Sequence, residues 1–179
     1  MIGGLWKRSK LPVVDLPGLR PTPDRVRETL FNWLGQELSG WRCLDAFSGT
    51  GALGFEAASR GAAEVILLER DRHLARNLQQ IQSRLSAQAV RVECADALGW
   101  MRSAAPGAFD LVFLDPPFDA NLFELALQAA RPLLTPGGFV YLEADRAFDA
   151  AALAPLGFEL WRSAKAGNVH YHLLRLAPR

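Results

Sequence analysis

A chain of 179 residues is the length of one domain with a full hydrophobic core. Half of its residues are hydrophobic and 22% are charged, an ordinary globular balance, and no apolar run approaches the ~20 residues a membrane-spanning helix needs. The net charge of +1 gives no global pull toward nucleic acid. Two cysteines, Cys43 and Cys94, lack metal-type spacing and are expected to be buried thiols in a reducing cytosol.

Residues 1–20 hold Gly3, Gly4, Pro12, Pro17 and Gly18 with few periodic apolar residues. This predicts an irregular arm, with a short strand around Lys10 to Val14, ahead of a single domain over residues 21–179. Lys7, Arg8 and Lys10 follow too short a start for a signal peptide, so a cytoplasmic protein is expected. Together with Arg20, Arg25 and Arg27 they face only Asp15 and Asp24, a local basic surface of the kind that meets phosphates, the competing reading being an ordinary solvated arm. A helix follows, with Thr22 as N-cap, Pro23 in the first helical position and Asp24 at the positive end. Val26, Leu30, Trp33, Leu34 and Leu38 extend its apolar stripe to Ser39-Gly40.

Cys43, Leu44 and Phe47 finish a short apolar run that reads as a buried parallel strand. Gly49 and Gly51 give a tight turn, and a helical pattern runs from Ala52 to a stop at Gly61. Gly49, Gly51 and Gly54 satisfy G-x-G-x-x-G, which alone is a weak dinucleotide signal. Asp45 adds the discriminating charge. A carboxylate at the strand tip repels a pyrophosphate but attracts a sulfonium and an ammonium, which favours S-adenosylmethionine over NAD. The competing reading is that Asp45 only caps the turn.

Glu64 to Glu69 reads as a second strand, and Glu69 stands about 20 residues beyond the glycines, where a ribose-binding carboxylate belongs. A helix from Arg72 to Leu85 and a strand from Ala89 to Cys94 follow. Asp96 then sits at the same sheet edge, as partner for an adenine amine, as N-cap of the next helix, or as both. Phe109 to Leu114 is a fourth strand, a helix runs from about Asn121 to Ala130, and Pro136-Gly137-Gly138 precedes a fifth strand at Phe139 to Glu143. Phe158 to Ala164 and His170 to Leu176 flank a turn at Lys165 to Asn168. The alternation predicts an α/β fold: a seven-stranded, mainly parallel, Rossmann-like sheet with helices on both faces and a C-terminal antiparallel hairpin, the shape of a class I methyltransferase.

Asp115-Pro116-Pro117-Phe118 ends the fourth strand and matches the (Asp/Asn/Ser)-Pro-Pro-aromatic signature of enzymes that methylate exocyclic amines. The lone pair of such an amine is delocalised into the base, so it is a poor nucleophile. The Asp115 carboxylate and the Pro116 carbonyl can accept its two N–H bonds, push the nitrogen toward tetrahedral and aim the lone pair at a methyl donor. Pro117 stiffens the loop, and Phe118 would stack on an extruded base. The competing reading is a Pro-Pro turn with Phe118 in the core. No metal-ligand cluster is visible, so none is expected to be required.

With these residues assembled, the sequence resembles the RsmD family of bacterial enzymes that methylate guanine N2 in 16S ribosomal RNA. The resemblance runs through Ile2-Gly-Gly, Lys10-Leu-Pro and the stretch from Gly18 to Leu34, and continues through Leu44 to Gly54, Glu69, Asp115 to Phe118, and Gly167, Val169 and Tyr171. Lys7-Arg-Ser-Lys10 lacks the glycine expected between its basic residues, no arginine precedes Ile2, and Asn168 and His170 depart from the pattern. The resemblance implies that Asp45, Phe47, Gly49, Gly51, Glu69, Arg70, Asp96, Ala97 and Asp115 hold S-adenosylmethionine, with Thr22 and Arg27 closing over it. It also implies S-adenosylhomocysteine as the product and action on the small subunit or its assembly intermediate. From the charge distribution Lys7, Arg8, Lys10 and Arg20 are expected to meet RNA phosphates, and without a long exposed heptad or a membrane-length apolar run a monomer acting without a membrane is expected. The rivals are a DNA adenine or cytosine methyltransferase, which the lack of a separate recognition domain disfavours, and a nucleotide sensor or dehydrogenase on the same glycine loop.

Overall fold

The computed structural model describes residues 1–12, 19 and 21–179. The chain divides into two compact units, Met1–Ala97 and Leu98–Arg179.

In the first unit, α1 (Asp24–Trp33) precedes β1 (Arg42–Asp45), α2 (Ala52–Ser59), β2 (Glu64–Glu69), α3 (Arg72–Arg84) and β3 (Val90–Cys94). The strands lie in the order β3-β2-β1, all parallel, with Asp45 level with Leu67 and Glu69 level with Cys94. Apolar runs such as Glu64–Glu69 form strands here because both faces of a parallel sheet are covered; Val65 to Leu68 are all buried. All eight residues of α2 are buried, its polar ones included. A helix buried all round needs cover on its outer side, and the N-terminal residues supply it. Glu56 accepts the N–H groups of Ile2 (2.8 Å) and Gly3 (3.0 Å), while Ser59 Oγ accepts from Trp6 and donates to the Gly3 carbonyl. Glu56 also takes Arg60 Nε at 3.1 Å, and the Arg60 guanidinium stacks on Phe31.

Four local expectations change in this unit. Pro23, not Thr22, is the N-cap of α1, because its carbonyl accepts the first helical N–H groups, from Val26 and Arg27, and no side chain caps the end. The helix stops at Trp33 rather than reaching Leu38, since Gly35 and Gln36 take positive φ (92° and 75°) and turn the chain. Lys10 to Pro12 form no strand, and Val13 and Val14 lie outside the described residues. Cys43 is buried as expected, but Cys94 is exposed at the outer strand of this unit.

In the second unit, α4 (Ala97–Ser103), which opens at the boundary, leads to β4 (Phe109–Leu114) and α5 (Phe123–Ala130). β5 (Leu134–Ala144), the short α6 (Ala150–Leu153), β6 (Phe158–Ala166) and β7 (Val169–Leu176) complete it. The order is β4-β5-β7-β6, with β4 and β5 parallel and β7 antiparallel to both of its neighbours. Pro136-Gly137-Gly138 does not precede the fifth strand as a separate turn; it lies inside β5, where the register with β4 shifts between Phe109 and Leu111. A Cβ on Gly138 would come within 3.2 Å of the Asp110 carbonyl, so the bare backbone permits the close approach. Asn121 adopts a left-handed conformation, which delays α5 to Phe123. The hairpin turn shortens to Gly167-Asn168, with φ +59° at Gly167, the position where a two-residue type II′ turn calls for glycine.

Candidate functional site

The first unit gathers carboxylates along one edge. β1, β2 and β3 run parallel, so their ends bring Asp45, Glu69 and, two residues past β3, Asp96 to the same side. Asp45 is 2% exposed and accepts the Gly54 N–H at 3.0 Å, inside the first turn of α2. The capping role weighed from sequence is therefore present in the fold. Glu69 ties the turn from the other side: Oε2 accepts the Gly49 N–H and Oε1 the Asp71 N–H, both at 3.0 Å. Gly49 and Gly51 carry φ +54° and +81°, which side chains rarely adopt. Gly54 serves packing instead, since a Cβ there would fall 2.1 Å from Leu67 Cδ2.

This edge is rich in acceptors. It suits a ligand that offers hydroxyls, an amine or a cation, and it disfavours a pyrophosphate. Phe47 is half-buried, Ala97 is buried, and Arg70 and Asp96 are exposed.

A cavity of about 360 Å³ lies beside this turn, lined by Thr22, Asp24, Arg27, Thr50 and Ala52 together with Lys10. Arg27 is largely committed. It pairs with Asp24, and its guanidinium lies 3.8 Å from Glu56 Oε1, while its buried Nε has no hydrogen-bond partner among the described residues. Lys7, Arg8 and Lys10 are exposed, with the Lys10 carbonyl accepting from Arg84. Arg20 lies outside the described residues.

The second unit holds the Asp-Pro-Pro-Phe loop. Asp115 directly follows β4 and is half-buried, Pro116 is buried and Pro117 exposed. Phe118 opens a 3-10 turn, half-buried, with its ring 5.8 Å from that of Phe123, so one edge is supported by the core. Arg146 in turn lies over the rings of Phe123 and Phe148. No group of three or more potential metal ligands occurs among the described residues. None of their helices is long and apolar enough to cross a membrane.

Sequence reasoning missed Glu143 and Tyr141. Both lie in β5 and are buried at 5% and 0% exposure. Burial first, then the carboxylates of Glu143 and Asp115, push the Tyr141 phenol well above its usual pKa. The only sequence signal was an acid at the end of an apolar strand, where Glu143 resembles Glu69.

The family profile described as Conserved hypothetical protein 95 matches residues 1–175. A protein named Ribosomal RNA small subunit methyltransferase D from Haemophilus influenzae is 39% identical over 178 residues, covering 97% of this chain and 91% of its own. Its namesake from Escherichia coli is 41% identical over 175 residues, covering 97% and 87%. Among solved structures, a putative methyltransferase from Escherichia coli superposes with a TM-score of 0.83 at 36% identity, over 98% of this chain and 96% of the other.

Proposed function

The chain belongs to the family described as Conserved hypothetical protein 95, and on that premise we propose that it transfers a methyl group from S-adenosylmethionine to the exocyclic N2 of a guanine in 16S ribosomal RNA. Its fold is the class I, Rossmann-like methyltransferase fold, seven-stranded and mainly parallel with a C-terminal antiparallel hairpin. The observation that carries the reading is Asp115-Pro116-Pro117-Phe118 at the carboxyl end of a parallel strand.

When bound, S-adenosylmethionine supplies a sulfonium-activated methyl group and leaves as S-adenosylhomocysteine. The acceptor edge of the first unit fits it. Glu69 keeps lone pairs for ribose hydroxyls beyond the Gly49 and Asp71 N–H groups it already accepts. Asp45 contributes negative charge toward a cation, and Asp96, with Ala97 beside it, stands where an adenine amine can donate. Gly49 and Gly51 admit the ligand close to the backbone, with Phe47 and Arg70 flanking. Thr22 and Arg27 would close over the amino-acid end from the cavity they line.

In the second unit, Asp115 and the Pro116 carbonyl would accept the two N2–H bonds, freeing the lone pair from conjugation with the ring. Pro117 fixes the loop, and Phe118 offers a face for base stacking. No residue of this scheme needs a metal. Lys7, Arg8, Lys10 and Arg20 would meet RNA phosphates. A cytoplasmic monomer acting on the small subunit or its assembly intermediate, without a membrane, completes the reading.

Replacing Asp115 by Ala tests it. Methyl transfer should fall by ~10²–10³-fold, the usual cost of losing one preorganised polar group at the reacting centre. Affinity for S-adenosylhomocysteine, which the other carboxylates hold, should stay nearly intact. Undiminished turnover would remove Asp115 from the reaction.

A further inference from the structure

Parallel pairing of β4 with β5 sets Phe113 opposite Tyr141 and Leu114 opposite Leu142. Continuing that register one residue past the end of β4 brings Asp115 level with Glu143. Antiparallel pairing of β5 with β7 then sets Glu143 opposite Tyr171. Side chains alternate along strands, so Phe113 and Asp115 share a face with Tyr141, Glu143 and Tyr171. Ring contacts agree: Tyr141 lies 6.2 Å from Phe113 and 6.5 Å from Tyr171, centroid to centroid.

Three neighbouring strands therefore deliver two carboxylates and a tyrosine to one row, with Tyr141 beneath. Glu143 is 5% exposed, and a carboxylate that deep is costly unless its lone pairs are answered. The fully buried Tyr141 hydroxyl beside it has no hydrogen-bond partner among the described residues. Its raised pKa keeps it a neutral donor for a carboxylate. Each ionised carboxylate carries about four lone-pair sites, so two side by side can accept more than one amine donates, next to the residue assigned to the amine.

Guanine has the complementary edge. It presents N1–H beside its N2 amine, whereas adenine and cytosine present a ring-nitrogen acceptor beside theirs. We propose that Glu143 accepts the N1–H of the target guanine while Asp115 and the Pro116 carbonyl hold its N2 amine, so that Glu143 selects guanine among the amine-bearing bases. This rests on the guanine-N2 reading above. Tyr141 and Tyr171 are positioning residues: they flank Glu143, and the Tyr141 hydroxyl is the donor within its reach when the base binds.

The test uses full-length protein and small-subunit RNA carrying 2-aminopurine at the guanosine that the enzyme methylates. 2-Aminopurine keeps the exocyclic amine but turns N1 into an acceptor. A site built around a donor rejects an analogue lacking it by up to ~10⁴-fold, and we expect at least ~100-fold lower kcat/KM for the analogue with the natural chain. Glu143→Gln preserves shape, and its amide can donate to an acceptor N1. It should lower kcat/KM on guanosine and shrink the preference at least ~10-fold, with S-adenosylhomocysteine affinity unchanged. Equal use of the two bases by the natural chain would overturn the proposal without any variant. So would an unchanged preference in a folded Glu143→Gln protein. Failure of the natural chain to form N2-methylguanosine would instead overturn the reading on which the proposal rests.

Discussion

Glu56 shows how one buried acid can organise a surface segment. Its carboxylate accepts two backbone N–H groups from Ile2 and Gly3 and pairs with Arg60, with Arg27 at 3.8 Å. Glu56→Ala would strand a buried guanidinium and two donors, and breaking a buried pair from one side costs about 3–5 kcal/mol. Urea unfolding should show that loss, and limited proteolysis should open the first residues. His172 carries a different signature. Burial lowers its pKa from 6.5, and His170 adds to the lowering, against the Leu142 carbonyl, which raises it. Its Nε2 accepts the Phe148 N–H at 3.0 Å, so Nδ1 carries the proton toward the Leu142 oxygen at 3.1 Å. As pH falls below about 6.5, the unfolded chain takes up a proton that the folded one refuses, and stability drops by at most ~1.4 kcal/mol per pH unit until the folded pKa is passed. Unfolding midpoints at several pH values should show this slope reduced in His172→Gln; identical slopes would refute it. The Asp115 motif was legible at this scale because its chemistry is local. Glu143 was not, because its meaning depends on which residues the sheet register sets beside it.

Among the elements, the turn from β1 into α2 combines the positive-φ glycines of the proposed cofactor site with close packing. Gly54 keeps α2 against Leu67 and donates its N–H to Asp45. Gly54→Ala would push a methyl into that contact at an expected ~1–3 kcal/mol, with weaker S-adenosylhomocysteine binding in titration. Unaltered stability and affinity would show that the contact yields freely. β2 and β4 were readable because each holds four consecutive apolar residues closed by an acid, Val65 to Leu68 before Glu69 and Leu111 to Leu114 before Asp115. β5 was not, since Pro136-Gly137-Gly138 has turn chemistry that strand pairing overrides. α1 ended early because its apolar stripe continues past Gly35, where the backbone turns while Leu38 stays in the core.

For the whole molecule, a net charge of +1 concealed a basic N-terminal segment. Lys7, Arg8 and Lys10 stand exposed on a stretch whose backbone is fastened to α2 through Glu56 and Ser59. If RNA binds there, as proposed, this fastening lowers the ordering cost. Replacing all three by Ala should weaken RNA binding and flatten its dependence on log salt by ~0.7 per lost phosphate contact on single strands, about 2 in all. An unchanged salt slope would move RNA binding elsewhere.

The most direct test of the central claim is transfer of labelled methyl from S-adenosylmethionine to small ribosomal subunits that lack the modification, followed by digestion to nucleosides. Label in N2-methylguanosine with the natural chain, entering ~10²–10³-fold more slowly with Asp115→Ala, is the result this account predicts. Label in another nucleoside, or equal label with Asp115→Ala, would contradict it.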